Sequence, residues 1–273
     1  MDFICPVCGG ELATGENFIK RCAVGHSFDR ARAGYYNLLL GVGGGNHGDN
    51  REMVEARSAF LDGGYYEPLA RRVAERIAEL LPSGGTLLDA GAGEGYYTDA
   101  AERAIYERDG TSCVLAFDIS REAAKRLAKR NSRISVAVAS SYSMPIATSS
   151  IDTAMLVFSP LALDELRRVV KPGGSLIMVF PDVEHLFGLK SVIYKTPYKN
   201  KPEPTELAGF TLLSDEQLGY EVTLTSCEAV RSLFMMTPYA YRTPPKDRER
   251  VLALDRLTTE VAFRIVSYKR NEE

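Results

Sequence analysis

The sequence predicts an α/β fold: a doubly wound, Rossmann-like parallel sheet with a small zinc-binding module in front of it. Three observations predict it. Short apolar runs alternate with helical patterns through the middle of the chain. A glycine-rich turn, Asp89-Ala-Gly91-Ala-Gly93-Glu94-Gly95, follows the first of those runs. Four metal-ligating residues stand in two close pairs near the start.

The chain of 273 residues suits one large domain plus a small module. With 45% apolar and 25% charged residues, it can fill a core without disulfides. Net charge is −3, so bulk charge announces no nucleic-acid partner, and any basic surface is local. The chain has no apolar run of 18 residues, so no membrane partner is expected. The opening Met-Asp-Phe-Ile-Cys lacks a basic stretch before an apolar one. No signal peptide is expected, and the expected location is cytoplasmic. There, five cysteines serve as thiols or metal ligands rather than disulfides.

Residues 1–40 are rich in Gly, Cys and turn formers and lack a core-building period, so they read as a separately stabilised module. Gly41-Val-Gly-Gly-Gly-Asn-His-Gly-Asp-Asn50 is flexible by composition and is expected to separate that module from the rest. Residues 41–68 form a linker and a helix, with Met53, Ala56, Phe60 and Leu61 at helical spacing until Asp62-Gly63-Gly64. The main domain, 69–273, opens on a helix with Leu69, Val73, Ile77, Leu80 and Leu81 on one face. Strands follow at 86–90, 113–117, 134–139, 151–158 and 175–180. Helices fall between them at 95–106, 120–130 (Ser120 as N-cap) and 163–170. Lys171-Pro-Gly-Gly174 is a turn. The tail holds strand-like runs at 220–225 and 261–268 with helices between, expected as an antiparallel edge.

Cys5-Pro-Val-Cys8 and Cys22-Ala-Val-Gly-His26 give C-x2-C-x13-C-x3-H. Two close pairs of thiolate and imidazole ligands suit tetrahedral Zn2+, and four protein ligands make the site structural. Zinc then replaces the core that so few residues cannot build. The glycine turn lies where an open sheet binds ligands, at the carboxyl end of a strand. Its spacing is G-x-G-x-G rather than the G-x-G-x-x-G of dinucleotide sites. Asp118 ends the second strand, where a carboxylate can take both ribose hydroxyls. There is no basic clamp for a phosphate.

Asp89 to Gly95 resembles the first motif of class I S-adenosylmethionine-dependent methyltransferases. The resemblance implies that Asp89 steadies a loop of Gly91, Gly93, Glu94 and Gly95 facing the methionine part of S-adenosyl-L-methionine. It makes Asp118 the ribose acid and sets Ser140 and Ser141 beside the adenine. Further motifs occur in order: Cys5-Pro-Val-Cys8, His26-Ser-Phe28-Asp29, Gly34-Tyr-Tyr-Asn37-Leu38-Leu39, Arg57-Ser-Ala-Phe60-Leu61-Asp62-Gly-Gly-Tyr-Tyr66, Glu94-Gly-Tyr-Tyr97-Thr98 and Thr237-Pro238. Together they resemble the bacterial 23S ribosomal RNA (guanine-N1)-methyltransferases over nearly the whole chain. That resemblance implies methylation of guanine N1 in a hairpin of the large-subunit RNA, in one group of the family with macrolide resistance. It implies zinc on Cys5, Cys8, Cys22 and His26, and cofactor contacts from Tyr66, the Gly93–Tyr96 turn and His185. It also implies a homodimer whose zinc modules border an RNA cleft, with no DNA partner.

Basic residues for RNA are local: Lys20-Arg21, Arg30, Arg32, Lys190, Lys195, Lys199, Lys201 and Arg242 to Arg250, interleaved with Tyr35, Tyr36, Tyr194 and Tyr198. Phe158-Ser159-Pro160 falls where this fold meets its target, with Phe158 to stack and Ser159 to hydrogen-bond the base edge. No catalytic base is assigned. Tyr66 reads equally as a core residue. One of Tyr96 and Tyr97 faces the cofactor while the other packs on the sheet. Two other classes share parts of the pattern. A small-molecule methyltransferase of the ubiquinone-biosynthesis type would lack the zinc, and a non-catalytic RNA-binding protein of this fold would lack cofactor binding.

Overall fold

The computed structural model describes residues 2–41 and 48–272. Most of the glycine stretch, residues 42–47, lies outside the described residues. Three two-residue strands, β1 (Ala13–Thr14), β2 (Lys20–Arg21) and β3 (Ser27–Phe28), make a small antiparallel sheet. A fourth, β4 (Tyr36–Asn37), leaves that module and pairs in parallel with β7 (Ser135–Val138) at the edge of the main sheet.

Helix α1 (Arg51–Asp62) is capped by Asn50, whose side chain accepts from the Met53 N–H at 3.0 Å. Helix α2 (Glu67–Leu80) buries Leu69, Ala70, Val73, Ala74 and Ile77 on one face. Burying each large aliphatic contributes about 2 kcal/mol. The alternating units are β5 (Thr86–Ala90), α3 (Tyr96–Arg108), β6 (Cys113–Asp118), α4 (Arg121–Arg130), β7, β8 (Ile151–Val157), α5 (Leu163–Val169) and β9 (Val170–Pro181). Ser120 caps α4 as expected, accepting from Ala123. Next come α6 (Phe187–Ile193), β10 (Phe210–Leu224), α7 (Cys227–Met235), α8 (Tyr239–Arg242), α9 (Pro245–Leu252) and β11 (Leu257–Arg270).

The main sheet runs β10-β11-β9-β8-β5-β6-β7-β4. β11 is antiparallel to both its neighbours, and the remaining pairings are parallel. Every residue of the central strand β5 is buried. The order reverses beside β5, which opens a crevice at the strands' carboxyl ends.

Three elements differ from expectation. The Lys171–Gly174 turn is absorbed into β9: Val170 pairs with Ile151 and Ser175 with Thr153, so the four residues between bulge out of register. β10 begins at Phe210, ten residues before the expected run, because its full length pairs with β11. The N-terminal module is not stabilised separately. Phe3, Leu12, Tyr36 and Leu38 share one apolar core with Leu88, Ala90, Leu115 and Phe117 of the sheet. The Ile4 N–H also donates to the Pro145 carbonyl at 2.9 Å.

Candidate active site and zinc centre

The zinc ligands come together on two tight turns. Gly9 (φ +72°) lets the first turn close, with the Gly9 N–H on the Cys5 carbonyl; Gly25 (φ +99°) does so for Cys22. The ligand atoms of Cys5, Cys8, Cys22 and His26 lie within 4.8 Å of one another. Cys8 and Cys22 sulfurs are 3.7 Å apart, and His26 Nδ1 lies 3.6 Å from Cys5 Sγ and 3.3 Å from Cys22 Sγ. A tetrahedron with Zn–S bonds of about 2.3 Å has S···S edges of about 3.8 Å and slightly shorter S···N edges. The donor set therefore fits zinc in kind and in spacing. Burial opposes ionisation of Cys22, but hydrogen bonds from the His26 backbone, Cys8 and the His26 ring outweigh it and bring the thiol down to about 6. A thiolate at neutral pH is the form that binds metal.

The crevice is a cleft of about 880 Å³. Of the expected cofactor residues, Tyr66, Asp89, Gly91, Gly93, Glu94, Asp118, Ser140, Ser141 and His185 line it. Gly95 and Tyr96 do not. Gly95 (φ +86°) serves packing, since a Cβ there would stand 2.2 Å from Leu127 Cδ1 of α4. Tyr96 is half-buried outside the cleft, with the Arg130 guanidinium 5.9 Å from its ring centroid. Of this pair, Tyr97 is the one that lines the cleft. Helical phase carries the signal for it, because half-buried Tyr97 lies four and eight residues before Ala101 and Ile105, which are buried.

Gly91 (φ +85°) is pressed by the loop after β8: a Cβ there would sit 2.0 Å from Ser159 Oγ. Ser159 Oγ donates to the Ala90 carbonyl at 2.7 Å, so it ties two loops together. Asp118 accepts from the Gly93 N–H at 2.9 Å and the Ser120 N–H at 2.7 Å, which holds the turn against the end of β6. Thr98 donates to Asp89 at 2.6 Å.

The cleft is acidic. Asp89 and Glu94 are each 2% exposed, and one carboxylate oxygen of each has no partner, as does the Tyr97 hydroxyl. Burial, with Asp118 and Glu94 nearby, pushes Asp89 up to about 7 despite the Thr98 bond. Burial raises Glu94 and Asp118 as well. Among the described residues that line the cleft the guanidinium is that of Arg57, which the motif pattern contained without assigning it a role and which pairs with Asp49; Arg130 reaches Glu94 from outside the lining. Orphaned buried carboxylates with one cation between them call for a cationic ligand. A sulfonium bearing an ammonium group fits, and a pyrophosphate does not.

Tyr66 and His185 meet at the cleft floor, Oη to Nε2 at 3.5 Å. The Ala262 N–H donates to His185 Nδ1 at 3.3 Å, so the ring proton sits on Nε2. Burial, helped by Lys190, lowers His185 to about 3. The imidazole is neutral and is not a proton acceptor at Nε2. Burial holds the Tyr66 and Tyr97 phenols well up, so both remain hydroxyl donors.

The fold and cleft define a class I S-adenosyl-L-methionine-dependent methyltransferase carrying an N-terminal zinc ribbon. Residues 3–40 match the family described as "RlmA, N-terminal", and residues 87–174 the family described as "Methyltransferase domain". A Micromonospora griseorubida relative bearing a 23S rRNA (guanine-N1)-methyltransferase name is 32% identical over 97% of this chain and 96% of its own. The 23S rRNA (guanine(748)-N(1))-methyltransferase of Streptomyces fradiae is 30% identical over 96% of this chain and 95% of its own. Among solved structures, the YcgJ protein of Bacillus subtilis aligns with a TM-score of 0.48 at 11% identity, covering 74% of this chain and 98% of its own. The chain belongs to the 23S rRNA (guanine-N1)-methyltransferase family.

Proposed function

We propose that this chain methylates N1 of a guanine in a hairpin of 23S ribosomal RNA, acting as a homodimer in the cytoplasm. The carrying observation is one sheet that holds both the acidic cofactor cleft and, through β4, the zinc module. A zinc module beside the cleft favours a macromolecular substrate over a small one. The orphaned carboxylates favour a working cofactor site over a silent fold. Among the described residues no helix is long and apolar enough to cross a membrane.

Bound S-adenosyl-L-methionine supplies the electrophilic methyl group; this chain supplies position and electrostatics. Asp89, Glu94 and Asp118 face the cofactor's cationic and ribose groups. Tyr66, held by neutral His185, offers a hydroxyl at the cleft floor. A neutral His185 also avoids placing a second positive charge beside a sulfonium. Ser159 gives its hydroxyl proton to Ala90, so it shapes the loop and offers a base edge an acceptor only. Phe158, 44% exposed at the cleft, stacks the target guanine.

The test is incubation of protein-free 23S RNA with the enzyme and methyl-labelled cofactor, then nucleoside analysis. Label in 1-methylguanosine is expected; label in another nucleoside or none removes the reading. A host expressing the chain is expected to become less susceptible to macrolides that bind near that hairpin.

A further inference from the structure

Of the eleven phenylalanines, two are exposed, Phe18 at 60% and Phe158 at 44%. The same two have left-handed backbones, φ +59° and +54°. A bulky residue there is strained, and an exposed ring loses the benefit of burial. Glycine or asparagine would suit both local demands better; Phe158 offsets part of that cost by packing against Tyr97, His185 and Phe263, whereas Phe18 stands against the Arg30 guanidinium. Phe158 lines the cleft, where a flat substrate arrives. Phe18 is not among the residues that line the cleft and is not a zinc ligand; it sits on the turn between β1 and β2.

We propose that Phe18 and Arg30 form a second nucleobase platform, which takes an unpaired base of the RNA whose guanine enters the cleft. The proposal rests on the ribosomal RNA reading above. Asn17 (φ +55°) precedes Phe18 in the same left-handed turn, which pushes the ring outward. The Arg30 guanidinium stands 5.1 Å from its centroid and is held by an Nε–H bond to the Gly34 carbonyl at 3.2 Å. A cation over one face leaves a rigid, flat apolar surface on which a base can stack, whatever its identity. The Tyr36 hydroxyl donates to the Phe18 carbonyl at 2.8 Å. Because Tyr36 belongs to β4, the platform is anchored to the sheet that carries the cleft.

Charge fits the same partner. A Cβ on Gly34 would lie 3.6 Å from Ala128 of α4, so the platform abuts that helix. α4 exposes Arg121, Lys125 and Lys129. Lys125 faces Glu122 at 3.9 Å, whereas Arg121 and Lys129 have no ion-pair partner among the described residues. Glu16 and Asp29 beside the platform are exposed, so the base contact is stacking while α4 offers the phosphate contacts.

The test compares wild type with Phe18→Ala, Phe18→Leu and Phe18→Trp. Each binds a 23S hairpin transcript, and the same stem closed as a continuous duplex, by fluorescence anisotropy at fixed salt. Phe18→Ala and Phe18→Leu are expected to weaken hairpin binding about ten-fold, and Phe18→Trp to restore it. Duplex binding, zinc content and cofactor affinity should stay unchanged. Leucine keeps apolarity without a ring, so its loss assigns the effect to stacking. Wild-type affinity in Phe18→Ala or Phe18→Leu, or equal loss for hairpin and duplex, overturns the platform. So does a change confined to self-association in sedimentation, which would make Phe18 a protein contact. If wild type methylates the RNA and Phe18→Ala binds as well, only the platform falls. If wild type does not bind the hairpin, the ribosomal RNA reading falls too.

Discussion

Single residues set the charge state of the cleft, and Asp89 does so most strongly. Its folded pKa, about 7, lies above the ordinary carboxylate value because of burial. The sign follows: a raised carboxylate pKa gives stability that is present below about pH 4 and lost as pH rises through 7. A cationic cofactor reverses that loss by pairing with the ionised form. Cofactor affinity is therefore expected to rise with pH between 6 and 8, by up to about ten-fold per unit, with Asp89→Asn weaker and flat. Calorimetric titration across that range checks this, and a flat wild-type profile contradicts it. His185 carries the opposite sign. Held near 3, it stays neutral while the unfolded imidazole takes a proton, so it lowers stability as pH falls below about 6.5. His185→Gln is expected to lose less stability than wild type between pH 7 and 5, by roughly 2 kcal/mol, as read by urea unfolding at each pH. At Ser159 the expectation is structural. Removing its bond to Ala90 in Ser159→Ala costs about 1 kcal/mol of stability. Turnover should change only through cofactor affinity.

Elements divide into those that local sequence marks and those that pairing imposes. Ser120 and Asn50 mark their helices by capping chemistry, and the short run around Leu87 and Leu88, ahead of the glycine turn, marks a strand that proves buried along its whole length. These signals are local and need no partner to be read. β10 carries a weak signal because it is an edge strand with few fully buried side chains, and its length comes from hydrogen bonds to β11. β4 is two residues long, too short for any period, yet it joins the module to the sheet. In the site, the spacing of cysteines and glycines was legible because ligand turns and left-handed glycines leave residue types that little else requires. Tyr97 in place of Tyr96 needed helical phase. Arg57 needed the third dimension, since its partners Asp49, Glu94 and Asp118 arrive from other elements. Removing zinc is expected to loosen 1–40 and the β4 edge while β5 and its glycine turn persist. A chelator should then abolish RNA binding and lower the melting temperature, but leave cofactor affinity within about three-fold, since the cleft's Asp89, Glu94 and Asp118 stand on β5, β6 and the glycine turn rather than on residues 1–40. Loss of cofactor binding in parallel would mean that the two halves fold as one unit.

The whole molecule joins two recognition problems on one sheet. The acidic cleft sits at the carboxyl ends of β5 and β6, and the zinc module closes the β7 edge beside it. With net charge −3, the RNA contact proposed above falls to local features, aromatic rings on strained turns and the basic face of α4, rather than to bulk charge. On that proposal the shape of an unpaired loop, rather than duplex length, is the expected substrate determinant. Primer extension along enzyme-treated 23S RNA tests that most directly, because a methyl group on guanine N1 blocks Watson–Crick pairing and halts the polymerase. The account predicts one strong, cofactor-dependent stop at a guanine in an unpaired segment of a hairpin, lost in Asp118→Ala. Full-length extension without a new stop, or stops spread over paired stems, would contradict it.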